Sequence, residues 1–382
     1  MAAAGAAVAE AAASAIETGT PLTLIAKEKT QPAMAHVLFR GEYDQPRDPA
    51  PPGVPQVLPS LPENAPANRL SLARWLVAPE HPLTARVTVN RFWQELFGTG
   101  LVKTAEDFGV QGERPSHPEL LDWLAVDFRE HGWDVRRLLK TLVMSATYRQ
   151  TSSASEEQYR SDPENRLHAR GPRFRLDAEM IRDQVLFSSG ILSTRRGGPS
   201  VKPDQPGNIW EVLGYQGSNT MVFFPDQGDN LYRRSLYTFW KRTAPPPNMT
   251  LFDAPNRESC TVRRERTNTP LQALVMMNDT QYLEAARSLA ATLMETGTDS
   301  NRRMATAFQR VVGRPIDTDS RQVLEECHTQ YLEHFQQQPG KAAALLRVGE
   351  LPSRDAGHPA ETAALALVIS QLFNLAEVLN KN

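Results

Sequence analysis

Apolar residues recur at helical spacing through much of this chain. Val89, Phe92, Trp93 and Leu96 fall at i, i+3, i+4 and i+7, the stripe of an amphipathic helix, and Gly98 is a helix-stop signal. The same spacing predicts further helices from Pro118 to Phe128, from Asp134 to Val143, from about 176 to 192, from Thr269 to about 295, from Asp299 to Gly313, from Thr318 to about 338, and over 362–379.

Local start signals sharpen several of these helix boundaries. Ser116 followed by Glu119 has the spacing of a capping box, with Pro118 in the first turn. Asp134 is a predicted N-cap, and Thr269 precedes a proline at the first helical position. Asn278 and Asp279 mark a break after which a second helix begins.

The pattern changes between Ser193 and Asn256. Gly-Gly, Pro-Gly and Pro-Pro-Pro signals follow one another there, and the segments Thr220–Phe224 and Tyr232–Trp240 have the composition of strands. The predicted fold is therefore mainly α, an irregular multi-helix domain with a small β element in the middle.

The first part of the chain has a different composition. Residues 1–66 comprise an alanine-rich leader, a strand-like segment at His36–Arg40 and eight prolines in the 23 residues from Asp44 to Pro66. Such a proline run forms neither a helix nor a central strand and is expected to link or wrap as extended chain. Residues 67–382 are predicted to form the helical domain, with a loop- and strand-rich insertion at about 193–256.

Charge and cysteine content exclude several classes of protein. The 382 residues include 42 Lys and Arg and 44 Asp and Glu, a net charge of -2, which argues against a sequence-independent nucleic-acid binder. No run of about 18 apolar residues predicts a membrane span, and the N-terminus lacks the basic region of a secretory signal. Cys260 and Cys327 provide neither a disulfide framework, nor a four-thiolate metal site, nor a c-type haem attachment. We therefore expect no metal and no cofactor in this chain.

One group of candidate chemical residues is acidic and imidazole-bearing. Asp107, His117 and Glu119 lie close together in sequence, near Asn90 and Arg91. A histidine beside a carboxylate can act as a general acid/base pair or supply metal ligands. Helix capping explains Glu119 equally well, and His117 is then simply exposed.

Arginines form the second group. Arg170, Arg173 and Arg175 fall within six residues, separated by Gly171 and Pro172, and could form a fork-shaped site for carboxylate, sulfate or phosphate. The alternative is a solvated charge run. On the following helix, Glu179, Arg182 and Asp183 have the spacing of intrahelical pairs.

The third group precedes the helix that starts at Pro270, whose N-terminus presents free N–H groups suited to an anion. Asp253, in the same segment, joins Asp107, His117 and Glu119 as an acid/base candidate. A buried polar network, in which the arginines tie loops to carbonyls and carboxylates, is the alternative. The candidate ligand-binding residues are Arg233, Arg234, Asn256, Arg257, Arg263, Arg264, Arg266 and Asn268.

Nine short strings, taken together, have a family resemblance. They are His36–Tyr43, Asn90–Trp93, Phe97–Gly100, Asp107–Gly109, Pro115–Leu124, Met144–Arg149, Arg234–Lys241, Phe252–Pro255 and Thr267–Ala273. From about residue 30 to the end, the chain resembles the domain-of-unknown-function family numbered 1553, the C-terminal module of large secreted planctomycete proteins.

The resemblance implies a cellular setting. Family members carry an upstream signal peptide, cytochrome-c-like haem modules and a second uncharacterised domain, and are often encoded beside sulfatase-like proteins. The resemblance thus implies a periplasmic or extracellular protein that works with cytochrome-c-like domains. It implies haem only on missing upstream modules or partners. It also implies a role in the use of anionic polysaccharide. The family has no established catalytic residues to transfer.

Three functions follow from these observations. The first is an accessory module whose arginine-lined centre binds an anionic ligand or glycan. The second is a glycan-acting hydrolase or oxidoreductase that uses the acid/base candidates, and the third is a structural platform for cytochrome-c-like domains.

Overall fold

The computed structural model describes residues 10, 13–15, 19–20, 23–27, 29, 34–215, 217–218, 220–297, 299–354 and 357–381. The chain divides into two compact units, Met1–Ala85 and Arg86–Asn382. The alanine-rich leader lies largely outside the described residues.

The described residues of the first unit include a short hairpin and the helix α1. β1 (Ala35–Leu38) pairs antiparallel with β2 (Pro46–Ala50), and α1 spans Arg69–Leu76. The predicted strand is confirmed, although it ends at Leu38. Two prolines lie on β2, as a two-stranded hairpin allows, because the outer edge of each strand needs no ladder hydrogen bonds. Trp75 Nε1 donates to the carbonyl of Pro59 at 2.6 Å and so ties the proline-rich segment to α1.

The second unit is built from helices and short irregular connections. The helices that follow α1 are α2 (Thr84–Phe97), α3 (Pro118–Glu130), α4 (Val135–Met144), α5 (Glu156–Ser161), α6 (Ala178–Ser189), α7 (Ile209–Leu213), α8 (Pro247–Leu251), α9 (Pro270–Asn278), α10 (Thr280–Met294), α11 (Ser300–Val312), α12 (Thr318–Gln337), α13 (Pro339–Leu345), α14 (Pro359–Phe373) and α15 (Ala376–Leu379). Two residue pairs, β3 (Phe174–Arg175) and β4 (Asn380–Lys381), form a small antiparallel ladder. The prediction of a mainly α fold with a small β element is confirmed.

Among the described residues, the two larger of three apolar clusters form the cores of this unit. The apolar stripe of α2 is buried as predicted, and Val89 and Trp93 pack with residues of α3 and α4 such as Leu124 and Leu138. The larger core surrounds α10 and α14, which pack on each other and are apolar around most of their circumference. A helix that is apolar all round is expected to be buried, and these two form the centre of the fold.

Helix starts follow the predicted signals with one exception. Asp134 accepts hydrogen bonds from the amides of Arg136 and Arg137, and Asp279 caps the restart at α10. The predicted capping box at Ser116 is wrong. Its amide and hydroxyl both donate to the carbonyl of Leu101, at 2.9 and 3.3 Å, so the side chain is unavailable to α3, which begins at Pro118.

The strands predicted at Thr220–Phe224 and Tyr232–Trp240 do not form. The described residues of the segment 193–246, which exclude 216 and 219, run as irregular chain with short helical turns, and among them only two isolated bridges, Ser193 to Arg233 and Val201 to Thr238, have β geometry. The helix predicted over 362–379 is interrupted near Asn374 and continues as α15. No helix among the described residues is long and apolar enough to cross a membrane.

Candidate functional site

Most of the arginines in the predicted third group are held by their own partners. Arg264 makes a bidentate pair with Glu179, with N–O distances of 2.6 and 3.3 Å, and lies 3.6 Å from Asp177. Arg257 lies 4.0 Å from the same Glu179 carboxylate and covers the ring of Trp240. These charges are therefore largely neutralised within the fold.

Arginines from the irregular segment are also engaged. Arg233 is only 1% exposed, donates to the carbonyls of Gly197 and Pro199, and stacks on Tyr237. The Nε of Arg234 lies 3.7 Å from Asp183. Both side chains fix the irregular segment rather than face a shared cavity.

The remaining polar residues of the third group are dispersed. Arg263 pairs with Glu106 at 3.4 Å on the surface. Asp253 accepts hydrogen bonds from the amide and hydroxyl of Thr267, and Asn256 Oδ1 accepts from the amide of Glu258. Asn268 is exposed. Arg263, Arg264 and Arg266 line one small cavity, but the other members of the group do not line it with them.

The acid/base candidates are likewise separate. Asp107 Oδ1 accepts from the amide of Gly109 at 2.6 Å, and Glu119 is exposed in the first turn of α3. His117 Nδ1 lies 3.1 Å from the hydroxyl of Ser116. Across the described residues, no hydrogen bond or ion pair joins any two of Asp107, His117, Glu119 and Asp253.

A polar cavity of about 400 Å³ combines parts of the second and third groups. It lies where the C-terminal end of α2 meets the segments 152–174 and Arg266. Its cationic lining residues are Arg170, Arg173 and Arg266, and its one acidic lining residue is Glu164. The volume falls within the range of small-ligand sites, ~300–1,000 Å³. We call this cavity the anion pocket.

Arg266 is the arginine of the third group that reaches this pocket. Its Nη1 donates to the carbonyl of Gly98 at 3.3 Å, its guanidinium covers the ring of Phe174, and its Nε is buried without a hydrogen-bond partner. Gly98 has a φ of +82°, and a Cβ there would lie 2.7 Å from the Phe174 ring. The helix-stop glycine therefore also allows the close approach that shapes the pocket wall.

The other two arginines differ in how they are held. Arg170 is 7% exposed and donates to the carbonyls of Asp162 and Pro163, at 2.8 and 3.0 Å, without a carboxylate partner. Arg173 is exposed and has no hydrogen bond or ion pair with any described residue. Glu164 is paired with Lys103 at 2.7 Å. The pocket thus carries a net positive charge.

His168 forms the apolar side of the pocket and was not singled out from the sequence. Its ring packs against Trp93 and Phe97 and lies 5.5 Å from the His117 ring, measured between centroids. Desolvation, and secondarily the nearby imidazole of His117, lower the pKa of His168 to about 4. Its Nε2 is buried without a partner, so a neutral imidazole nitrogen lies in the wall of the pocket.

The lowered pKa of His168 predicts acid sensitivity. The unfolded chain binds this proton near pH 6.5 and the folded chain near pH 4, so stability present at neutral pH is lost as pH falls through that window. We expect wild type to lose about 2–3 kcal/mol more than His168→Asn between pH 7 and pH 4. Asparagine tolerates the positive φ of this position, 53°. Urea unfolding at several pH values measures the difference.

The exposed His334 on α12 provides the control for this experiment. As the pH falls from 7 to 4, the free energy of unfolding of His334→Asn should decrease by the same amount as that of wild type. An acid sensitivity of His168→Asn equal to that of wild type would show that His168 is not the responsible group.

A second cavity, of about 680 Å³, lies between the ends of α6 and α10 and residues 350–354. Next to it, the buried Glu284 accepts from the Tyr232 hydroxyl at 3.1 Å and the Leu351 amide at 2.6 Å, and lies 3.4 Å from Arg287. Desolvation raises the pKa of Glu284. Gly349 passes so close that a Cβ there would lie 2.3 Å from the Glu284 carboxyl carbon. The pair of Glu284 and Arg287 could have been noticed in the sequence, because they are the two charged residues of α10.

In the described part of the chain, no group of three or more His, Cys, Asp or Glu side chains is placed to hold a metal ion. Cys260 is exposed on the loop before α9.

Comparison with known proteins identifies the family. Searches of curated proteins and of solved structures gave no match. A family model described as a protein of unknown function, DUF1553, matches residues 68–328, more than half of the chain. The match extends from α1 into α12 and therefore includes all the residues that line the anion pocket. The chain belongs to the DUF1553 family.

Proposed function

We propose that this chain is an accessory module that binds an anionic ligand, a carboxylated or sulfated glycan, in the anion pocket. The observation that carries the proposal is the charge of the pocket. Arg170, Arg173 and Arg266 line it and form no ion pair with a described carboxylate, and its one acid, Glu164, is paired with Lys103.

The chemistry of the lining supports this ligand class. A guanidinium group presents a planar fork of donors that matches the oxygens of carboxylate or sulfate. Partial enclosure strengthens such a pair because water screens it less than at an open surface. The neutral His168 and the ring of Phe174 add apolar surface on which a sugar ring can rest.

The setting of the module is proposed from the family resemblance alone. In this proposal the protein acts outside the cytoplasm, as the C-terminal partner of cytochrome-c-like domains of planctomycete type, and haem is carried by those domains. The chain itself then supplies recognition of anionic polysaccharide and not the redox chemistry.

Two pocket variants test the proposal. Arg173→Ala and Arg266→Met are each expected to weaken the binding of a sulfated oligosaccharide about 10-fold, since a charge-assisted hydrogen bond contributes ~1.5–3 kcal/mol. Isothermal titration calorimetry measures the change, with the unsulfated oligosaccharide as the ligand control.

Arg196→Ala is the matched protein control, because Arg196 is exposed in the segment after α6 and does not line the pocket. It should bind as wild type does. Equal loss in all three variants would indicate a diffuse charge effect, and no binding of any sulfated or carboxylated oligosaccharide by wild type would contradict the proposed function.

A further inference from the structure

A smaller pocket, distinct from the 680 Å³ cavity, lies beside the anion pocket. It has a volume of about 200 Å³ and is lined by Gln94, Glu95, Gly98, Arg263, Arg264 and Arg266. Gly98 and Arg266 line both pockets, so the two pockets share part of their walls. We call the smaller one the acceptor pocket.

Gln94 gives this pocket an unsatisfied acceptor. The residue is 5% exposed, and its Nε2 donates to the carbonyl of Val262 at 3.4 Å. Its Oε1 is buried and has no hydrogen-bond partner. Buried acceptors are nearly always paired in folded proteins, because leaving one unpaired has a desolvation cost. Gln94 also lines the acceptor pocket, so a donor for its Oε1 can come from a group bound there or from a water molecule.

Glu95 supplies a second acceptor in the same wall. It forms no hydrogen bond or ion pair with a described residue. Partial desolvation, together with the charge of Asp177, raises the pKa of its carboxyl, while Arg266 and Arg264 act in the opposite direction. The carboxylate is thus positioned to accept hydrogen bonds rather than to neutralise one particular arginine.

The mixture of groups selects among ligand classes. A purely anionic group would meet the Glu95 carboxylate, and an ammonium group would meet the guanidinium of Arg266, which forms no ion pair with a described residue. A hydroxyl group donates to Gln94 Oε1 or Glu95 and also accepts from Arg263 or Arg266. The volume is that of about seven water molecules at ~30 Å³ each, which suits a compact polyhydroxylated group.

We propose that the two pockets bind adjacent units of one acidic oligosaccharide, with the sulfate or carboxylate in the anion pocket and an uncharged, hydroxyl-bearing sugar ring in the acceptor pocket. This inference rests on the proposed function and specifies its ligand. Arg266, shared by both pockets, lies at the junction of the two units.

The test compares three probes on the full chain, namely inorganic sulfate, a monosulfated disaccharide and the same disaccharide without sulfate. Gln94→Met keeps the length of the side chain and removes the acceptor, and Glu95→Ala removes the second one. Each variant is expected to weaken binding of the monosulfated disaccharide about 5- to 10-fold and to leave the affinity for inorganic sulfate unchanged. Arg173→Ala should weaken binding of both sulfate and the monosulfated disaccharide.

The outcomes separate the two proposals. If wild type binds sulfate and the monosulfated disaccharide with equal affinity, or if both acceptor-pocket variants leave the affinity ratio of these two probes unchanged, the acceptor pocket is not a sugar subsite although the proposed function stands. If wild type binds neither of these two probes nor any carboxylated oligosaccharide, the proposed function fails and this inference fails with it. Glu95→Ala changes a solvent-accessible side chain, so it remains informative should Gln94→Met fail to fold.

Discussion

Replacing Arg182 with methionine is expected to destabilise the protein by about 4 kcal/mol or more. The side chain is 1% exposed on α6, and its guanidinium donates to four acceptors. They are Gln281 Oε1 at 2.6 Å, the carbonyl of Arg233 at 2.9 Å, Ser235 Oγ at 3.1 Å and the carbonyl of Leu231 at 2.8 Å. Each acceptor left buried without a donor costs ~1–3 kcal/mol, and relaxation recovers part of the sum. Urea unfolding followed by circular dichroism measures the loss.

Arg196→Met is the control, since it makes the same change at an exposed site with no partner among the described residues. It should alter the free energy of unfolding by less than ~0.5 kcal/mol. A loss below about 1.5 kcal/mol in Arg182→Met would mean that the irregular segment holds its conformation without this side chain.

Replacing Arg287 with methionine is expected to cost about 3–5 kcal/mol at pH 8, because it leaves the Glu284 charge buried without its partner. Arg287 is 4% exposed and also donates to the carbonyls of Val348 and Leu351, both at 2.6 Å. The cost should diminish as pH is lowered towards 5. Burial already raises the pKa of Glu284, and without Arg287 the folded state will bind that proton still more readily, so stability falls as pH rises.

The double variant Glu284→Gln with Arg287→Met separates charge from hydrogen bonding. It should be more stable than Arg287→Met at pH 8, and its dependence on pH should be smaller. Equal stability of the two variants from pH 5 to pH 8 would contradict the assignment of the cost to the unpaired carboxylate.

The sequence patterns predicted helices well because helix formation depends on neighbours three and four residues apart. The stripe on α2 and the caps at Asp134 and Asp279 are local and were found. Ser116 was misassigned because its partner, the carbonyl of Leu101, lies 15 residues away in the chain. Competition from a distant acceptor cannot be read from a local motif.

The failed strand prediction has an equally physical cause. The segment Tyr232–Trp240 has strand composition, but the carbonyls of Leu231 and Arg233 accept from Arg182 on α6 instead of from a neighbouring strand. Phe223 and Phe239 pack as single anchors against Trp210. Side chains of high β propensity here fill a core without forming a ladder.

The sequence indicated which segments carry the arginines of the candidate site, but it did not indicate which of those arginines lie together in the fold. The arginine-rich segments at 170–175 and 253–268 were recognised, and both contribute to the anion pocket. Tertiary contacts decide which arginines have an acidic partner. Arg264, for example, pairs with Glu179, which lies 85 residues away in the chain. His168 and Gln94 were missed because burial, not residue type, gives each of them a nitrogen or oxygen without a partner.

The central position of α14 has a consequence for dissecting the protein. The family match stops at residue 328, yet α14 covers the apolar surface of α10, and Asn380–Lys381 pair with Phe174–Arg175 beside the ring that supports Arg266. A fragment cut where the similarity ends would expose that apolar surface and leave β3 without its partner. The end of the family match is thus not the end of the folding unit, and recombinant fragments need the residues through Lys381 to keep the wall of the anion pocket intact.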